Sequence, residues 1–334
     1  MSQHRAAQAT PRPAHPLISV VVPVFNEEAC LEEIVRRLVA VFSGLPADLE
    51  MLFVDDGSDD GTLAVVEQLA AADERIKFLS LSRNFGHQVA LAAGLENAAG
   101  DVVISMDGDL QHPPELIPTL IDRWRQGDDV VYTIRKANRG HGLKEALSRS
   151  FYVLLRRLTG VDVPTGGADF RLLDRKVVNA LGDCNEHFVF VRGLVPWLGF
   201  KRSAVDYEAS QRFAGRTKYM PRQMLAFALD GVFAFSTVPL RFISIMGAVT
   251  IVLGLAYGSY SVYVRLFTDR AVSGWTSLVV VMLVFSGTQL LSLGILSEYI
   301  GRIYEEVKRR PRYVVDRASA GLPAAASRSL PARP

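Results

Sequence analysis

The chain has 334 residues, 49% of them hydrophobic, enough for one large domain and something more. Its 37 Lys and Arg stand against 35 Asp and Glu, a balance that sets nucleic acid aside as a partner. Two cysteines, Cys30 and Cys184, exclude a disulfide scaffold or a CxxC zinc pair, and both are expected reduced in packed regions.

Residues 1–16 carry Arg, His, Ala and Pro without an apolar core, which predicts a disordered tail and no signal peptide. From residue 17 to about 224 a cytoplasmic domain is expected, because short β-rich runs alternate with helical ones. ISVVVPVF leads into NEEACLEEIVRRLVAVF, MLFVDD into TLAVVEQLAAA, KFLSLS into HQVALAAGLENAA, and DVVISMD into PPELIPTLIDRW, with DVVYTIR after it. That alternation predicts an α/β, Rossmann-like domain with a mostly parallel sheet. Ligands in such sheets gather at the carboxyl ends of the strands.

Residues 225–240 are apolar with one acid, Asp230, and read either as an interfacial helix or as a segment packed on the domain. Two uncharged stretches follow, at 242–264 and 275–297. Each is about 23 residues, roughly 34 Å as a helix, long enough for a bilayer core of about 30 Å. A transmembrane hairpin over 241–300 is therefore expected. Lys218, Arg222 and Arg241 precede it, and Arg302, Lys308, Arg309, Arg310 and Arg312 follow. The positive-inside tendency puts both ends in the cytoplasm. Residues 301–334 read as a basic helix and then, after Asp316, a second disordered tail.

Asp55 and Asp56 end one predicted strand, and Asp107, Gly108, Asp109 and Gln111 follow another. Asp and Gly alone would suit a plain turn. Two acidic groups at neighbouring strand ends, however, repel unless a cation compensates them. Carboxylate and amide oxygens suit Mg2+ or Mn2+ carrying a diphosphate. No GxGxxG opens a helix after the first strand, and no GxxxxGK[ST] is present, so a nucleotide would be held by another device. His87, His112, His141 and His187 show no ligand spacing and read as structural or surface residues.

The ordered set VVPVFNEE (21–28), VDDGSDDGT (54–62), SRNFGHQVALAAGL (82–95), MDGDLQHPPE (106–115), GGADFRLLDR (166–175) and RFAGRTKY (212–219) precedes the two spans and SEYIGRIYEEVKRRPRY. It resembles the family 2 GT-A glycosyltransferases. More narrowly, it is similar to the polyprenyl-phosphate branch, the bactoprenol glucosyltransferases, with dolichyl-phosphate mannose synthase more distant. The resemblance covers roughly residues 17 to 315.

The resemblance implies that Pro23, Asn26, Glu27, Asp55 and Asp56, with Asp107 and Gly108, line the nucleotide-sugar pocket. It implies a divalent metal, Mg2+ or Mn2+, among Asp107, Asp109 and Gln111. Asp109 and Asp169 are the implied catalytic residues, Asp169 facing the reacting sugar to orient it or to act in part as a base. Arg135 and Arg149 are implied at the lipid phosphate, with Arg212 and Lys218 on a loop over the phosphates. The chain departs from the family in having DGD where DAD is common, and in Arg216 before TKY.

The implied reaction moves one sugar, with inversion, from a UDP-sugar to undecaprenyl or a similar polyprenyl phosphate at the bacterial inner membrane. Glucose is favoured, with N-acetylglucosamine and an aminoarabinose derivative as alternatives and a non-catalytic membrane-anchored partner as the rival reading. Missing QxxRW and only two spans disfavour a processive synthase. The family also suggests a homotetramer.

Overall fold

A computed structural model describes residues 12–135, 167–184, 186, 190–207, 236–267 and 274–322. The described residues fall into two compact units. One is a globular unit that 311–322 rejoin, and the other comprises 236–267 and 274–310.

The globular unit is built on eight strands: β1 (Leu17–Val24), β2 (Asp48–Asp55), β3 (Ile76–Leu81), β4 (Val102–Ser105), β5 (Val130–Arg135), β6 (Gly167–Asp174), β7 (Arg202–Tyr207) and β8 (Val315–Ala318). Their order in one sheet is β7-β5-β6-β4-β1-β2-β3-β8. Strands β1 to β4 pair in parallel. Seven of the eight residues of β1 are buried, as expected for a central parallel strand covered on both faces. Helices α1 (Leu31–Phe42), α2 (Thr62–Ala72), α3 (His87–Asn97) and α4 (Ile117–Arg125) connect them. Helix α1 buries Leu31, Ile34, Leu38 and Phe42, one stripe at helical spacing.

The regular alternation ends at β6. That strand runs antiparallel to both β4 and β5 and lies between them, so β5 is not the neighbour of β4. Ser105 is opposite Arg171. The amino end of β6 therefore reaches the carboxyl end of β4, and this places Asp169 beside Asp107. Helices α5 (Arg175–Gly182) and α6 (Val191–Trp197) follow. Asp174 caps α5 by accepting from the Lys176 N–H at 3.0 Å, the usual service of an N-cap acid.

Both predicted tails are shorter than expected. Arg12 stacks 4.9 Å over Trp124 and pairs with Asp129 at 3.1 Å. The other correction is β8, which covers the open edge of β3 in antiparallel register. Its polar sequence, VDRA, carries no strand period; it is recruited by the unpaired backbone groups of β3. Just before it, Arg312 pairs with Glu96 at 3.0 Å, and the Tyr313 hydroxyl donates to the same carboxylate at 3.0 Å.

The second unit comprises α7 (Val238–Phe267) and α8 (Trp275–Lys308). Both are long and apolar enough to cross a membrane: 18-residue windows within Val238–Val264 and Val280–Lys308 have mean hydropathy 2.0 and 1.9. Leu253, Leu255, Leu290 and Leu291 are exposed, which suits a lipid environment and not water. The sequence reading stopped the second span at 297, but α8 runs on to Lys308 without a break. Residues 238–240, assigned above to an interfacial helix, form the first turn of α7; 225–235 lie outside the described residues.

Replacing Tyr313 with Phe removes the hydroxyl's hydrogen bond to Glu96 and the one it accepts from Asn97 Nδ2, a loss of at least about 1 kcal/mol. Thermal unfolding in detergent is expected to show a melting temperature lower by about 2–4 °C, and an unchanged value refutes a structural role for the segment after α8.

Candidate active site

The loop after β2 is set by hydrogen bonds to its own acids. Asp55 is 1% exposed; its carboxylate accepts from the Ser58 N–H at 3.1 Å and the Ser80 hydroxyl at 3.0 Å. Asp56, also buried, accepts from the backbone N–H of Phe85 at 2.7 Å and of Gly86 at 2.9 Å. Burial raises its pKa, with those two donors opposing. Asp56 thus fastens the turn that delivers His87 to the start of α3. Gly57 has φ +70°, and a Cβ there would lie 2.5 Å from the Arg83 carbonyl carbon, so only glycine fits between the two loops.

The other pocket residues lie at the same end of the sheet. Pro23 is buried within β1 opposite Val54. Asn26 takes φ 56° and accepts from the Asp59 N–H at 2.9 Å. The Glu27 N–H donates to Thr62 Oγ1 at 3.0 Å. Beneath them, burial and the neighbouring Glu27 and Asp109 push the Cys30 thiol up to about 11, so it remains an inert packed thiol.

After β4, the Asp107 N–H donates to His112 Nδ1 at 3.1 Å. His112 is 5% exposed and stacks on Phe170, with ring centroids 5.3 Å apart, so its reading as a structural residue stands. A Cβ at Gly108 would lie 2.9 Å from Val24 Cγ1. Glycine here therefore lets the acidic loop lie tightly on the end of β1, and the departure from DAD is a packing feature. Asp109 accepts from Gln111 twice, from its N–H at 3.1 Å and its side-chain amide at 2.7 Å. Gln111 Oε1 in turn accepts from Arg135 at 3.4 Å.

Asp169 is 2% exposed and surrounded by donors. Arg192 donates Nε to Oδ1 at 2.9 Å and Nη2 to Oδ2 at 2.6 Å. Arg171 donates to Oδ1, and Gln88 Nε2 lies 3.3 Å from Oδ2. Burial alone would raise this carboxyl; Arg192, His87 and Arg171 together hold it well below the usual range. It is a paired anion, poorly suited to take a proton. Arg175 faces elsewhere, donating to the carbonyls of Ala98 and Gly100.

His87 was given no site role by its spacing, yet its Nε2 lies 3.4 Å from Asp107 Oδ1 and 3.3 Å from Asp169 Oδ2. Burial lowers its pKa and the two acids raise it, with a net rise. Among the described residues, His87, Asp107 and Asp169 offer ligand atoms within 4.8 Å of one another. Asp107 Oδ1 is buried without a hydrogen-bond partner, an arrangement that a divalent cation would satisfy. Asp169 is a poor third ligand, since two guanidinium groups already neutralise it. Asp109 and Gln111 lie in the same loop outside that group, turned towards each other.

Sequence reasoning missed His87, Gln88, Arg192 and Tyr207. Tyr207 ends β7 beside Arg135 in register, with its ring 5.9 Å from His112, and burial pushes its hydroxyl up to about 12. His87 and Gln88 lie in the quoted string SRNFGHQVALAAGL, but no metal-ligand spacing singles them out, and Arg192 and Tyr207 lie in none of the quoted motifs. Only strand pairing and the turn held by Asp56 bring them to Asp107. Arg149, Arg212, Lys218, His141 and His187 lie outside the described residues.

The sequence matches the glycosyl transferase family 2 domain over residues 19–182 and the GtrB C-terminal hairpin over residues 238–303. It is 43% identical to an uncharacterized glycosyltransferase, YkcC, of Bacillus subtilis, over 91% of this chain and 94% of that protein. It is 38% identical to the bactoprenol glucosyl transferase of Shigella phage SfII, over 92% of this chain and 99% of that one. A prophage bactoprenol glucosyl transferase homolog of Escherichia coli K12 is also 38% identical, over 90% and 98%.

Asp169→Asn is expected to destabilise the protein by about 3–5 kcal/mol, since it leaves buried Arg171 uncompensated. A carboxyl with a depressed folded pKa stabilises above its unfolded value near 3.9, and this is lost as pH falls through the folded pKa. Melting temperature against pH should therefore drop on acidification below about pH 4 more steeply in the wild type than in the variant. Parallel curves would contradict the ion cluster.

Proposed function

Because the chain belongs to glycosyl transferase family 2, in the branch of the bactoprenol glucosyl transferases, we propose that it transfers one glucosyl unit from UDP-glucose to undecaprenyl or a related polyprenyl phosphate. The observation that carries the reading is the cluster of His87, Asp107 and Asp169 where β4 meets β6, in a chain so similar to those transferases over almost its whole length.

In this reading Pro23, Asn26, Glu27, Asp55 and Asp56 form the floor and walls of the nucleoside pocket. Gly108 keeps the acidic loop close against β1. Mg2+ or Mn2+ would be held by Asp107 with His87 and Asp109, Gln111 turning from Asp109 to complete the set. When bound, the ion offsets charge developing on the departing diphosphate. Arg135, and from the resemblance Arg149, Arg212 and Lys218, hold phosphates. Asp169 orients Arg192 and Gln88 and does not serve as a base. A phosphate monoester has its second pKa near 6 and is mostly dianionic at neutral pH, so it needs no base. Its oxygen attacks the anomeric carbon opposite the leaving group, which inverts the configuration.

The hairpin keeps the domain at the surface where the acceptor's phosphate lies, raising the effective acceptor concentration. Both termini and the catalytic domain are placed on the cytoplasmic side, from the basic flanks, and a homotetramer is the proposed assembly.

Purified protein with UDP-glucose and undecaprenyl phosphate should release UDP and give a lipid-extractable labelled product. EDTA should abolish turnover, and Mn2+ or Mg2+ restore it. Asp109→Ala should lower kcat at least about 100-fold, in line with loss of a group stabilising transition-state charge. Full-rate glycosylation by that variant in EDTA sinks the proposal, and a panel of UDP-sugars checks the donor.

A further inference from the structure

We propose that Gln88 reads the donor sugar, its side-chain oxygen Oε1 accepting a hydrogen bond from one of the sugar's hydroxyl groups. The assignment deepens the transfer from a nucleotide-sugar proposed above and rests on it.

The chemistry of the amide points this way. Gln88 is the second residue of α3, directly after His87, and its Nε2 lies 3.3 Å from Asp169 Oδ2. Asp169, paired with Arg171 and Arg192, is an ionised carboxylate, which can only accept. The amide therefore turns its NH2 towards Asp169 and commits its oxygen to a different partner. Among the described residues that oxygen is buried and has none. An unpaired buried acceptor costs about 1–3 kcal/mol, and folded proteins seldom keep one. What an acceptor needs is a donor. An ionised phosphate has no proton to give, which sets aside the lipid headgroup and the diphosphate as partners; a sugar hydroxyl has one.

Placement adds a second reason. The same Asp169 oxygen lies 3.3 Å from His87 Nε2, and that nitrogen is 3.4 Å from Asp107 Oδ1. Gln88 is thus joined through Asp169 and His87 to the acid assigned to the donor diphosphate. In a nucleotide-sugar the sugar is bonded directly to that diphosphate, so a side chain at this remove from Asp107 has the sugar within reach. Asp107 Oδ1 is itself buried without a hydrogen-bond partner. The two open acceptors then divide the donor between them, one suited to the cation on the diphosphate and the other to a hydroxyl. The backbone beneath Gln88 is fixed as well. Ala90, Leu91, Ala92 and Ala93 of α3 are buried, and Asp56 holds the turn before the helix through the Phe85 and Gly86 amides. A polar group held in this way selects its ligand, because a sugar without the matching hydroxyl leaves it unpaired.

The test measures kcat/KM of wild type and Gln88→Leu for UDP-glucose, for its analogues lacking one glucose hydroxyl each, and for 2′-deoxyuridine diphosphate glucose. In wild type, loss of one particular glucose hydroxyl is expected to lower kcat/KM at least about tenfold, the equivalent of one hydrogen bond. Gln88→Leu should lower kcat/KM for UDP-glucose by a similar factor and treat that one analogue and UDP-glucose alike within twofold. The other analogues should keep their wild-type penalties, and the KM for undecaprenyl phosphate should stay within twofold. Should Gln88→Leu fail to fold, Gln88→Asn, which withdraws the amide by one carbon, serves for the same comparison. Full activity of the variant with UDP-glucose overturns the assignment, as does a variant that retains every wild-type deoxy penalty, or one in which only the ribose analogue's penalty disappears. Each of those results leaves the transferase reading intact. A wild-type protein that makes no lipid-linked product from any UDP-sugar removes both.

Discussion

A carboxylate taken out of water needs compensation, and Asp169 receives it from two guanidinium groups on two different elements. Arg171 comes from its own strand and Arg192 from α6. The contacts hold β6 against α6, fix the side of the crevice that faces Asp107, and leave the acid with little appetite for a proton. Much of the site's chemistry follows from that pairing. An acid so heavily engaged organises its neighbours, and the reacting groups must be found around it.

The sheet makes the pairing possible. A parallel βαβ series delivers loops only from strand carboxyl ends, and β4 brings Asp107 and Asp109 that way. An antiparallel strand delivers its amino end to the same edge, so β6 can present Asp169 opposite the acidic loop. Asp56, buried and fastened to the Phe85 and Gly86 amides, settles where α3 begins and hence where His87 and Gln88 stand. One acidic pair thus shapes the cleft from below, while the other offers oxygens into it.

Much of this was legible in the sequence where the signal is periodic. The apolar runs and helical stripes from residue 17 to 135 gave the strands and helices nearly in place, and the uncharged stretches gave α7 and α8. The order of motifs gave the family. Asp107, Asp109 and Asp169 could be named because each sits in a recognisable string. Illegible were the features that depend on pairing across long separations. Nothing in VDRA says that it pairs with a strand some 240 residues earlier, and nothing in VRGL says that its arginine meets ADFRL. Spacing rules for metal ligands also fail at His87, because its partners are 20 and 82 residues away. The fate of residues 12–16 shows the same limit: one arginine on one tryptophan outweighs a composition typical of disorder.

Electrostatics then limits what mechanism the fold can support. At neutral pH the proposed acceptor arrives with nearly two negative charges and meets a donor that also carries phosphate charge. Bringing two such groups within reacting distance is opposed by Coulomb repulsion, which grows where the site excludes water. A general base would add a further negative charge and ease nothing. What the encounter requires is fixed positive charge between and around the phosphates, arranged before the substrates arrive. In the proposed reaction Arg135 would supply it from β5 and a divalent ion at Asp107 from β4, next to the two guanidinium groups that Asp169 holds. The buried carboxylate at the centre is the counterweight that lets two of those cations share one small space in the unliganded protein.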